Sequence, residues 1–270
     1  MWEADMVFDE LKARQAVAWG SGAYELFADT LTDIYDDLIA RLWVRSGERW
    51  LDVATGTGAV ALRAARKGAL VTGQDFAEPL IETARRLALD AGVDVTFDVN
   101  DCERLPYEDE AFDVVSSAQG AVLAPDHRAV VGELARVCSP GGRLGLTAWR
   151  PGGVGEDLLR ALAGFRAAPA EGAGAPLDWG RPEYAERLLG GAFRLEFFDG
   201  VSYEAAASPE ALWQRMLTSF GPLKTQAAAL SDERRRELHD AFVDFYAGHI
   251  GTDGRVAAAR EYLVIIGERL

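Results

Sequence analysis

From Asp9 onward, apolar residues recur three and four positions apart. The spacing predicts a helix over 9–18 and a second over 23–44, parted by the break Trp19-Gly20-Ser21-Gly22. Tyr24, Phe27, Leu31, Ile34, Leu38 and Leu42 form one stripe on the second helix. At Arg49 the texture changes to short apolar runs alternating with amphipathic stretches. Strands are predicted over 49–54, 70–75, 93–99, 112–116 and 142–149, and helices over 58–67, 78–90 and 126–137. Gly68 and Gly92 stand where glycines close helices, and Asp126 stands where an N-cap belongs. Strands joined by helices run parallel, because parallel neighbours need a crossover. After Trp149 the rhythm is lost. Residues 151–153 and 169–180 read as loop. A strand is predicted over 193–198, continuing toward Tyr203, then helices over 209–216 and 232–249, then a buried strand over 260–266. Helices between the last two strands predict an insertion folded over the sheet. The chain thus divides into a helical lid (1–48), a core (49–149), and a segment (150–270) holding the final strands and a helical cap.

Charge narrows the partners. Of 270 residues, Lys and Arg total 28 against 43 Asp and Glu, a net charge of -15. Such a chain repels phosphate backbones and anionic lipid surfaces, so neither nucleic acid nor membrane is the expected partner. No long apolar run exists to cross a bilayer. Met1 to Asp5 is acidic and lacks a signal pattern, which makes the cytoplasm the expected compartment. Two cysteines and three histidines make neither a disulfide framework nor a metal pattern. The oligomeric state is not readable.

The sharpest chemical signal is Leu51-Asp52-Val53-Ala54-Thr55-Gly56-Thr57-Gly58, which ends a strand and opens a helix. Glycines in such a turn remove side chains that would block a ligand, and the free N–H groups of the helix start then face it. Alone, the segment also fits a dinucleotide fingerprint or a ligand-free turn. Three further features add weight. Asp75 ends the second strand, where a carboxylate accepts from ribose hydroxyls. Asp101-Cys102 follows the third, where an acid accepts from an adenine amine. Phe112-Asp113-Val114-Val115-Ser116-Ser117 and Ser139-Pro140-Gly141-Gly142 flank the next helix. All four lie in loops that would meet at the carboxyl edge of a parallel sheet.

Together these residues resemble the class I S-adenosylmethionine-dependent methyltransferases, most closely the ubiquinone/menaquinone-biosynthesis type, over residues 49–149. The resemblance implies an α/β fold: a doubly wound, Rossmann-like, seven-stranded sheet with an antiparallel last strand and a helical cap. It implies S-adenosylmethionine as cofactor, with Asp52, Ala54, Gly56 and Gly58 in the glycine-rich loop. Asp75 then falls at the ribose, Asp101 and Cys102 at the adenine, and Ser117 on the loop after strand four, with Phe76 also among the cofactor-binding residues. Ala54 replaces a glycine common in the family, a change tolerated if the residue stays extended. Trp19 and Tyr24 bracket the glycine hinge and are expected either to close over the methionine end or to serve as core aromatics.

Two rival readings share the first motif. One is a nicotinamide-dependent oxidoreductase, disfavoured by Asp52 on the first strand. The other is a non-catalytic cofactor-binding regulator, disfavoured because Asp52, Gly56, Gly58, Asp75 and Asp101 are all present. A methyltransferase of this kind is expected to work by in-line displacement onto a small hydrophobic or aromatic metabolite. It needs a base only if the nucleophile must lose a proton. His127, at a helix start, is the base candidate, against the plainer reading of a solvated first-turn residue. Gln119, Gly120 and Leu123 are expected near the acceptor. Trp149, Trp179, Tyr184, Trp213 and Phe220 divide between pocket lining and core, core being the default for large aromatics. His239 and His249 read as surface or packing residues.

Overall fold

The computed structural model describes residues 8–270; the acidic start of the chain and the first residues of the predicted lid lie outside them. In chain order, helix α1 (Asp9–Trp19) is followed by α2 (Tyr24–Ala28), a 3-10 turn (Asp29–Leu31) and α3 (Thr32–Leu42). Then come β1 (Arg49–Val53), α4 (Ala59–Arg66), β2 (Leu70–Asp75), α5 (Glu78–Ala91), β3 (Val95–Val99), β4 (Phe112–Ala118), α6 (His127–Val137) and β5 (Cys138–Trp149). The remainder is α7 (Val154–Ala161), α8 (Pro182–Leu189), β6 (Phe193–Ala206), α9 (Pro209–Ser219), α10 (Gly221–Ala229), α11 (Asp232–Ala247) and β7 (Val256–Arg269).

The strands form one seven-stranded sheet in the order β3-β2-β1-β4-β5-β7-β6. The first five are parallel, and β7 enters antiparallel between β5 and β6. This is the sheet that the resemblance implies, down to the reversed last strand. Successive residues of β1 face opposite sides: Trp50 belongs to the core cluster of Leu38, Ile81 and Phe97, whereas Leu51 belongs to that of Leu134, Trp179 and Leu189. A strand buried on both faces needs apolar residues at every position, so the one charged residue inside β1, Asp52, requires an explanation. A third cluster, around Leu212, Trp213, Phe242 and Tyr246, holds the helices inserted between β6 and β7. No helix among the described residues is long and apolar enough to cross a membrane.

Several elements differ from the sequence reading. The helix expected over 23–44 is broken at Asp29–Leu31. There the Thr30 hydroxyl donates to the Phe27 carbonyl at 2.8 Å and the Thr32 hydroxyl to the Asp29 carbonyl at 3.0 Å, side-chain bonds that compete with the helical ladder. The predicted last strands are much longer than read, each 14 residues, because each pairs with the other along its whole length. Helices α7 and α8 add to the predicted elements, and Pro182 opens the second of them.

Candidate functional site

A cleft of about 880 Å³, counting its open mouth, runs along the carboxyl ends of β1, β2 and β4. Strand order reverses at β1, the place where open α/β sheets leave a crevice. The loop after β1 makes the floor. Gly56 (φ 56°) and Gly58 (φ 83°) are left-handed there, and so is Ala54, at φ 51°. The expectation of an extended Ala54 is therefore corrected. The turn needs a left-handed residue at this position, and alanine adopts that conformation at a steric cost.

Gly58 is also corrected. It caps α4, and a Cβ placed on it would meet the Phe97 ring at 3.1 Å and the Ala84 Cβ at 3.4 Å. It faces the core rather than the cleft. Gly56 does face the cleft, where a Cβ would meet the Tyr24 ring at 3.2 Å.

Asp52 and Asp75 stand at neighbouring strand ends, both buried. Asp52 accepts from the Ser116 hydroxyl at 2.7 Å and the Thr55 hydroxyl at 2.5 Å, and Ser116 in turn accepts from the Trp50 indole at 2.8 Å. That network explains the acid on β1. Asp75 accepts from the Gly56 and Ala77 N–H groups, each at 2.9 Å, so it braces the glycine loop from the next strand. Burial pushes each carboxyl up to about 6, against those hydrogen bonds, which pull it down.

Phe76, Asp101 and Cys102 line the cleft, as do Trp19 and Tyr24. The Trp19 and Tyr24 rings meet edge to face, with centroids 5.7 Å apart, and Phe220 backs Trp19 at 5.3 Å. Ser117 does not reach the cleft: it is fully buried, and its hydroxyl accepts from the Ala121 N–H, holding the loop after β4. His127 is neither solvated nor at the cleft. It is buried, its Nδ1 lies 2.7 Å from the Tyr184 hydroxyl, and its ring centroid lies 5.3 Å from that of Trp179. Burial keeps its imidazole below the ordinary range. Trp213 packs on Phe242, and the Arg260 guanidinium lies over the Trp149 ring, so these aromatics serve the core. His239 lies on the surface between Glu210 and Asp240, and His249 bonds the Phe245 carbonyl. Gln119, Gly120 and Leu123 do line the cleft.

Sequence reasoning missed Lys12 and Gln15 of α1, Tyr35 of α3, and Gln74. The signal for α1 was present, since Lys12, Gln15 and Trp19 share one helical face. Gln74 and Gln119 are 1% and 8% exposed, line the cleft, and have no hydrogen-bond partner for either amide atom. Buried amides are otherwise satisfied in folded proteins, so both are free to bond water or a polar ligand in the cleft. Gln119 is also left-handed, at φ 59°. Among the described residues no group of three His, Cys, Asp or Glu side chains is placed to hold a metal.

A methyltransferase-domain family model matches residues 51–142. An uncharacterized protein of Mycobacterium tuberculosis is 31% identical over 266 residues, covering 96% of this chain and 95% of its own. The demethylmenaquinone methyltransferase of Thermus thermophilus is 45% identical over 102 residues, 37% of this chain and 46% of that protein. Among solved structures, the phosphoethanolamine N-methyltransferase 2 of Haemonchus contortus, in complex with S-adenosyl-L-methionine, superposes with a TM-score of 0.56 at 18% identity, over 88% of this chain and 53% of that one.

Proposed function

The chain belongs to the class I S-adenosylmethionine-dependent methyltransferases of the quinone-biosynthesis-like kind, and from that premise we propose that it methylates a small, hydrophobic or aromatic metabolite. The observation that carries the acceptor class is the character of the cleft beyond the glycine loop. Trp19, Tyr24, Ala28, Tyr35 and Ala118 line it, and among the described residues Lys12 is the only Lys or Arg that does. An anionic acceptor would find Asp52 and Asp75 there and little to neutralise it. A neutral, planar molecule would find aromatic walls.

The residues fit the cofactor. In this reading Asp75 accepts from the ribose hydroxyls with the lone pairs left over from Gly56 and Ala77. Asp101 accepts from the adenine amine, and Phe76 and Cys102 flank the ring. Asp52, fixed by Ser116 and Thr55, lends negative potential to the methionine end, and the unpaired amides of Gln74 and Gln119 meet the remaining polar groups. Bound S-adenosylmethionine supplies a methyl group already activated on a cationic sulfonium. What the chain adds is alignment for an in-line displacement, with water excluded by Trp19 and Tyr24; good alignment is worth roughly 7–11 kcal/mol. His127 has no part in it, being held in the layer behind the cleft by Tyr184 and Trp179.

The same reading places the enzyme in the cytoplasm, acting on a diffusible acceptor rather than on nucleic acid, in keeping with its acidity. Methyl transfer from radiolabelled S-adenosylmethionine into a panel of neutral phenols, quinols and polycyclic aromatics, beside a panel of carboxylates and phosphates, tests it. Label should enter the neutral aromatic panel. Turnover confined to the anionic panel overturns the acceptor class.

A further inference from the structure

We infer that Lys12 is a positioning residue of the cofactor site, an ionic latch that holds α1 over the adenine end and sets how fast the cofactor exchanges. Its Nζ lies 2.6 Å from Asp101 Oδ2 and 2.9 Å from Glu103 Oε2, far along the chain on the segment after β3. Both carboxylates are preset by backbone. Asp101 accepts from the Glu103 N–H at 2.9 Å, and Glu103 accepts from the Asp126 N–H at 2.8 Å, at the start of α6. The lysine is thus the moving part, closing on a receiver that stays in place.

Helix α1 is held at its C-terminal end by α10, where Gly221 lies against the Ala18 carbonyl. It is 11 residues long, none of them buried, and Phe8 offers no side-chain cap. An isolated helix of that length is marginal in water. Trp19 anchors one end against Tyr24 and Phe220. Two turns earlier, Lys12 is the tie that keeps the same face on the cleft. The side chains of Lys12, Glu103 and Asp101 are 18%, 9% and 34% exposed, so partial burial strengthens the cluster while its Asp101 side stays open to salt. Asp101 is the acid assigned to the adenine, so Lys12 also fixes the direction of that carboxylate. The inference therefore rests on the cofactor reading of the cleft.

Release of radiolabelled S-adenosylhomocysteine from the full-length chain, chased with unlabelled ligand, tests the latch. Release from the unaltered protein should quicken between low salt and about 1 M salt, where the screening length falls to about 3 Å. Lys12→Met should release about fivefold faster at low salt and lose that salt response, because truncating one partner of a desolvated charge pair acts on the off-rate. Lys12→Arg should restore both. Glu103→Gln gives the same reading from the other side should Lys12→Met fail to fold. A purely structural role would lower thermal stability and leave the salt response unchanged, and that result overturns the inference, as does release from Lys12→Met at the unaltered rate. If the unaltered protein binds no S-adenosylhomocysteine, the cofactor reading falls first; if it binds and the variants match it, the latch alone falls.

Discussion

Gly120 and Ala54 share a space that admits no further atom: a Cβ on Gly120 would stand 2.6 Å from the Ala54 carbonyl oxygen and 2.7 Å from its Cβ. The loops after β1 and β4 are locked together there, and each carries a left-handed non-glycine residue, Ala54 and Gln119. Ala54→Gly should relieve the strain and raise stability by about 0.5–1 kcal/mol, net of glycine's greater unfolded entropy. Gly120→Ala should lower it by about 2 kcal/mol or more. The double variant should recover only part of that, because the carbonyl contact persists. Thermal unfolding measures all three, and a fully restored double variant would show that the Cβ contact alone matters.

Asp75 and Asp52 sit near 6 in the free protein because of burial, above the unfolded value of about 3.9. The folded chain therefore takes up protons more readily than the unfolded one. The stability these groups contribute is present below about pH 4 and is lost as pH rises through 6. Ligand affinity runs the other way, since a ribose donates to an ionised Asp75. Calorimetry should find S-adenosylhomocysteine binding weakened below about pH 6 and level above it. Asp75→Asn should remove most of that slope and weaken binding at pH 7 by about tenfold or more. An unchanged slope in the variant would place the titrating group elsewhere.

The two loop glycines should separate in their effects. Gly58→Val forces a β-branched side chain at φ 83° against Phe97, so it should destabilise the fold by about 3 kcal/mol and lose binding through unfolding. Gly56→Ala, whose added methyl meets the Tyr24 ring, should cost about 1 kcal/mol of stability and weaken the ligand while the protein stays folded. Melting curves beside binding isotherms distinguish them. Equal melting temperatures for the two would refute the assignment of Gly58 to the core.

Glu204 is 3% exposed and pairs with Arg215 and with Arg260, whose Nη1 lies 2.8 Å away. Arg260 also donates to the Thr30 carbonyl at 2.9 Å, tying the inserted helices' base to the break after α2. Glu204→Ala strands a buried guanidinium and should cost about 3–5 kcal/mol. Arg194→Ala, at the exposed pair with Glu268, should cost no more than about 1 kcal/mol. Denaturant titration gives both numbers, and similar losses would mean that the buried network is hydrated.

The sheet was legible because its signals are local. Apolar runs, the glycines after α4 and α5, and the Asp126 cap, which accepts from the Arg128 and Ala129 N–H groups, all speak within a few residues. The site was legible in its acids for the same reason: a strand end fixes where Asp52, Asp75 and Asp101 stand. What escaped depends on distance or on direction. Lys12 finds its partners on the far side of the cleft. Ser117 follows Ser116 by one residue, and the strand's alternation sends one hydroxyl to Asp52 and the other to the Ala121 N–H. The conformation of Ala54 is set by a turn whose need for a left-handed residue no alanine announces. His127 is buried partly by Gly174, where a Cβ would stand 2.4 Å from the imidazole, and that covering loop carries no pattern at all.

The antiparallel entry of β7 between β5 and β6 has a consequence for the order in which the chain is assembled. Leu146 pairs with Ile265 and Leu195 with Gly267, so both neighbours wait for residues made long after them. On the ribosome, the first five strands can collapse while β5 still presents an open edge and β6 has no partner. Such nonlocal pairing is slow, and an unpaired edge invites association with other chains. Completion of the sheet is therefore a late step in folding, and the interval before it, with the β5 edge open, is when this protein is most exposed to aggregation.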